Sequence, residues 1–161
     1  MSSESEPLAQ AFVRQSLAAA KNRVRAQKAA QDKDPGQAVF LALAQAQEVQ
    51  AKKALMLLRG RIGTTAENLA EALQESRELA VETLPWTVLA QAEGDRAAGA
   101  LLVQMARALA SHLGLAARED AQDAPLEYHV CSICGYIHAG SQPGRCPVCQ
   151  ALPEKFVPAQ G

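Results

Sequence analysis

Between Leu8 and Leu115, apolar residues recur every three or four positions in a background of Ala, Gln, Glu, Lys and Arg, all strong helix formers. Glycine and proline gather at three breaks, "DKDPG" at 32–36, "RGRIGTT" at 59–65 and "EGD" at 93–95. The pattern predicts four helices, roughly 8–31, 36–58, 65–92 and 95–113. Thr64 or Thr65 is placed to cap the third, with Glu67 in its first turn near the positive end of the helix dipole. Pro85 falls inside that helix and predicts a kink.

Each helix carries one stripe at helical spacing, the signature of a bundle. The stripes run through Leu8, Phe12, Gln15, Ala19, Asn22 and Ala26, and through Phe40, Leu43, Gln47, Gln50, Ala54 and Leu57. The third runs through Leu69, Leu73, Ser76, Ala80 and Thr83, and the fourth through Leu102, Met105, Leu109 and His112. Polar residues on an inward stripe need an account, because bland cores hold Leu or Ala there. Glu71, Glu75, Glu78 and Glu82 form a separate acidic stripe, read as solvated, and Glu48 is expected to pair with Lys52. Arg14, Lys21, Arg25 and Lys28 give the first helix a basic, solvated face.

The expected organisation is a helical domain over 1–115, a polar linker over 116–127 and a small module over 128–161. A formal net charge of −1 argues against a nucleic-acid or membrane-surface binder. The start, "MSSESEPLAQAF", lacks the basic and apolar regions of a secretory signal, and no apolar run approaches the ~18 residues of a membrane span. The expectation is a soluble, cytoplasmic protein. In a reducing compartment, paired cysteines point to metal binding or redox chemistry rather than to structural disulfides.

All four cysteines lie in the module, spaced Cys-x2-Cys-x11-Cys-x2-Cys at Cys131, Cys134, Cys146 and Cys149. A module of roughly 30 residues buries too little apolar surface to stand unaided, so something must staple it. Two Cys-x-x-Cys knuckles supply a tetrahedral four-sulfur site, open on spacing alone to either zinc or iron. Gly135, after the first pair, suits the positive φ that such a knuckle needs; Pro147 stiffens the second, where Gln150 holds the corresponding place and is expected either to take some strain or to adopt a slightly different turn.

"YHVCSICGYIHAG", "CPVC" and "PEKF" resemble the rubredoxin-like domain that ends rubrerythrins, and "GRIGTTAENL" with "LPWTVLAQAEGD" resembles the third-helix region of that family. The resemblance implies a mainly α fold, a ferritin-like four-helix bundle with a small C-terminal rubredoxin-like metal-binding domain. It implies one iron on Cys131, Cys134, Cys146 and Cys149, with zinc as the alternative, and Tyr136 and Phe156 shielding the sulfurs. It further implies a homodimer and a redox partner protein.

Laid on this chain, the family's di-iron ligands fall on Gln15, Gln47, Gln50, Ser76, Leu79, Leu109 and His112. Only His112 keeps a ligand-type side chain, and no carboxylate remains to balance buried cations. A neutral hydrogen-bond network among these polar residues is expected in place of the metals, since an unsatisfied buried amide costs roughly 1–3 kcal/mol. The leading expectation is therefore an electron carrier with no di-iron centre and no peroxidase activity. The alternatives are a peroxidase or oxidase that uses unexpected ligands, and a zinc-stabilised interaction module.

Overall fold

The computed structural model describes residues 6–59, 62–115, 127–141 and 144–159. Four long helices come first: α1 (Glu6–Asp32), α2 (Gly36–Arg59), α3 (Thr65–Ala92) and α4 (Arg96–His112). Three short strands follow, β1 (Tyr128–Cys131), β2 (Ile137–Ala139) and β3 (Phe156–Pro158), with a 3-10 turn at Pro153–Lys155. The fold class is thus mainly α with a small C-terminal strand module. Helix bounds agree with the pattern of breaks to within about two residues, the scatter normal for helix ends. The expected linker lies, but for Glu127, outside the described residues.

Contacts divide the chain into two compact units, Met1–Gly63 and Thr64–Gly161. In the first, α1 packs on α2. The "DKDPG" break closes α1: Lys33 takes a positive φ of 57°, the Asp34 N–H returns to the Ala29 carbonyl at 2.8 Å, and the Asp34 carboxylate accepts the Gly36 N–H at 2.7 Å to open α2. The seam is made of small side chains, Ala19, Ala26 and Ala29 on α1 with Ala44, Ala51 and Ala54 on α2. Asn22 sits among them, 4% exposed. It donates from Nδ2 to Gln47 Oε1 at 2.9 Å and accepts from Arg25 Nη1 at 2.7 Å.

On α1 the buried Ala19, Asn22 and Ala26 belong to the expected stripe, which buried Ala29 extends by one turn, while Leu8, Phe12 and Gln15 are half-buried. On α2 the expected stripe is corrected: Leu43, Gln50 and Leu57 are exposed, and the buried line runs through Ala44, Ala51 and Ala54 with Phe40 and Gln47 half-buried beside it. Alanine lets the two backbones approach where leucine would hold them apart, so the larger apolar residues are left on the outside. Glu48 is corrected as well. It receives Arg23 in a two-bond fork across the hairpin, Nε to Oε1 at 2.9 Å and Nη2 to Oε2 at 3.0 Å, because the planar guanidinium matches a carboxylate as Lys52 does not.

In the second unit α3 packs on α4. Thr64 caps α3 in a closed capping box: its N–H and hydroxyl donate to Glu67 Oε2 at 2.7 and 2.9 Å, and its Oγ1 accepts the Glu67 N–H at 3.3 Å. Helix α3 runs unbroken through Pro85, flanked by hydroxyls that bond back into the helix, Thr83 to the Leu79 carbonyl and Thr87 to the Thr83 carbonyl. Gly94, at φ 73°, ends the turn after α3, and the Asp95 carboxylate caps α4 by accepting the Ala98 N–H at 2.9 Å. The acidic stripe of Glu71, Glu75, Glu78 and Glu82 is exposed, as expected.

Candidate metal centre

The strand module forms one antiparallel sheet in the order β2-β1-β3, with Val130 opposite Ile137 on one side and Val157 on the other. It is too thin to have a layered core. What it buries instead is Cys131, Cys146 and Phe156, with Cys134, Tyr136, Val148, Cys149 and Ala151 packed against them. The sulfurs are therefore most of the core, which is why such a module depends on what joins them.

Both knuckles share one hydrogen-bond scheme. The Cys131 N–H donates to the Tyr136 carbonyl and the Gly135 N–H to the Cys131 carbonyl, each at 2.9 Å. The Cys146 N–H donates to the Ala151 carbonyl and the Gln150 N–H to the Cys146 carbonyl, also at 2.9 Å each. The scheme requires a left-handed residue at the fourth place after the first cysteine, and Gly135 (φ 77°) and Gln150 (φ 61°) both take it. Gln150 meets that demand without glycine's freedom, and Arg145 Nη1 steadies it by donating to its carbonyl at 3.1 Å.

The four Sγ atoms lie within 4.8 Å of one another, with Cys131 to Cys149 at 3.7 Å and Cys134 to Cys146 at 3.5 Å. These are no disulfides. A tetrahedron with metal–sulfur bonds of ~2.3 Å has edges of ~3.8 Å, so the cage fits a single four-sulfur-bound ion. Cys131 and Cys146 are sealed, 1% and 0% exposed, while Cys134 and Cys149 are half-buried. The centre has a closed side and an open side.

Backbone N–H groups converge on the sulfurs. Burial pushes the Cys131 thiol up, but the N–H groups of Ile133 and Cys134, with the Cys149 and Cys134 thiols, outweigh it and hold Cys131 below the ordinary thiol range. Burial lifts the Cys134 thiol far above that range, only partly opposed by the Tyr136 N–H. Burial likewise raises Cys149, against the Ala151 N–H. A bound cation replaces these protons and turns the same N–H groups into donors to thiolate. Tyr136 and Phe156 meet edge to face, their centroids 6.4 Å apart at 89°, at the cysteine core.

The helical candidates are distributed between the two units. In the first, Gln15 and Gln47 are half-buried and Gln50 is exposed; Gln47 accepts from Asn22. In the second, Ser76, Leu109 and His112 are half-buried and Leu79 is exposed. His112 reaches the strand module: its Nε2 lies 3.2 Å from the Gly135 carbonyl oxygen. Stripe periodicity gave no sign of this contact, because it joins residues 23 positions apart across the segment 116–126.

Fold and site define a rubrerythrin-like architecture, long helices followed by a rubredoxin-like four-cysteine module. Residues 129–157 match the family model described as "Rubrerythrin, rubredoxin-like domain". Over 99% of its length the chain is similar to solved structures of nigerythrin, covering 88% of those chains: a mixed-valent state at 24% identity and TM-score 0.56, and a fully reduced, all-ferrous state at 25% identity and TM-score 0.55. No curated protein matches significantly.

Proposed function

We propose that the chain is a rubrerythrin-like electron carrier that holds one iron at Cys131, Cys134, Cys146 and Cys149. The observation that carries this reading is the sulfur cage, all four atoms within 4.8 Å, one side sealed and the other open to a partner. Iron bound there supplies a one-electron ferric/ferrous couple. The protein's own part is to hold the sulfurs at tetrahedral spacing, to aim N–H groups at them, and to exclude water from Cys131 and Cys146. Nigerythrin's solved states include one that is all ferrous, which favours iron over zinc by analogy.

The helices, in this reading, hold no di-iron centre. Gln15, Gln47, Gln50, Ser76, Leu79 and Leu109 offer neither carboxylate nor imidazole, and His112 is engaged at Gly135. Buried cations without counter-charge cost several kcal/mol each, which argues against peroxidase chemistry at the helices and leans the reading away from an enzyme. Its partners are a second copy of itself and a redox protein, not nucleic acid or membrane, and it works in the cytoplasm. Among the described residues, no helix is long and apolar enough to cross a membrane.

Elemental analysis with an absorption spectrum tests the reading. Protein loaded anaerobically with ferrous iron is expected to carry about one iron per chain, to turn red on oxidation and to lack oxo-bridged absorption. Colourless protein that takes up only zinc favours the interaction-module reading. About three irons per chain, with rapid peroxide turnover, restores the enzyme.

A further inference from the structure

The contact between His112 and the first knuckle ends on one particular peptide group. A carbonyl oxygen can only accept, so the His112 ring carries its proton on Nε2 and donates it to the Gly135 oxygen, 3.2 Å away. That oxygen and the Tyr136 N–H belong to the same planar peptide unit. Planarity turns the Tyr136 N–H the opposite way, and that N–H is the backbone donor that favours the Cys134 thiolate. Imidazole, peptide and sulfur thus form one continuous chain from the last turn of α4 to one of the two half-exposed cysteines.

Hydrogen bonds in series strengthen one another, because polarising a carbonyl makes the attached N–H a better donor. Donors to cluster sulfurs stabilise the more negative, reduced form and so raise the potential of the centre. We propose that His112 is a positioning residue for the four-cysteine centre: through the Gly135–Tyr136 peptide it strengthens the N–H···Sγ bond to Cys134 and raises the reduction potential. The proposal rests on the electron-carrier reading for its consequence, but its structural half does not. A bare docking role is the competing account, since His112 also ties the module to α4.

Two substitutions in the full chain separate these. His112→Phe keeps the ring's bulk and removes the donor; His112→Gln restores a donor without the ring. In zinc-loaded protein, the Tyr136 amide is expected to exchange several-fold faster in His112→Phe, with its proton resonance moved upfield, and to return toward wild type in His112→Gln. In iron-loaded protein, His112→Phe is expected to lower the equilibrium constant for reduction about threefold, which is about 28 mV at ~59 mV per tenfold for one electron. An unmoved Tyr136 amide or an unmoved potential overturns the proposal. So does a uniform rise in exchange across the whole module, which would mean that His112 only anchors it. Wild-type protein that cannot hold iron sinks the electron-carrier reading instead, and leaves the Tyr136 amide to decide this one.

Discussion

At the scale of single residues, Asn22 and Cys134 carry the sharpest consequences. Asn22 is sealed in an alanine seam and shares its amide with Gln47 and Arg25. Asn22→Ala should cost about 1–3 kcal/mol, because it strands Gln47 Oε1 beside a new gap; urea unfolding followed by circular dichroism reads the loss. Double substitution with Gln47→Leu should recover part of it, since replacing both partners removes the stranded group. Cys134→Ser removes one ligand from a module whose core is its ligands. It is expected to release the metal and expose the chain beyond Tyr128 to protease; full metal content with undiminished protease resistance would contradict the assigned site.

Among elements, the start of α3 gives a cleaner experiment than any core position. Thr64→Ala should cost ~1 kcal/mol, the usual worth of a Ser or Thr cap. Glu67 closes the same box, and its bonds to the Thr64 backbone and hydroxyl hold its carboxyl below the ordinary range. A carboxyl depressed by folding stabilises the folded state above its unfolded value and loses that support as pH falls through the lowered one. Thermal melts from pH 7 down to 3 should therefore show the gap between wild type and Glu67→Gln closing as the pH drops.

The cap was legible in sequence because it is local, confined to Thr64 through Glu67, and chemically specific. The α2 stripe was not. Periodicity ranks faces by hydropathy and so favoured Leu43 and Leu57, whereas the hairpin chose Ala44, Ala51 and Ala54 because small side chains allow close approach. The cysteine cage was legible, since two Cys-x-x-Cys knuckles admit few geometries; Gln150's equivalence to Gly135 left a strained left-handed residue or a different turn, and the structure takes the first. The His112 contact was hidden because no local pattern encodes where α4 meets the module.

For the whole molecule, large apolar side chains left outside ask for a cover. Leu57 is 70% exposed, and Leu17, Leu84, Leu89 and Leu101 are all more than half exposed. Large apolar side chains exposed on each unit are the kind of surface that association covers. Sedimentation equilibrium should return a dimer, and Leu17→Glu combined with Leu57→Glu should shift it to monomer; a monomeric wild type contradicts the proposed assembly. The one-sided burial of the cysteine cage bears on how the protein wears out. Wild-type protein exposed to a thiol-alkylating reagent and a mild chelator should be tagged first at Cys134 and Cys149, with Cys131 and Cys146 following only after the ion has left, an order that mass spectrometry of timed digests can read. On the proposed reading, the doorway open to electrons is also the one through which the centre is dismantled, so a docked redox partner would lengthen its working life merely by standing in it.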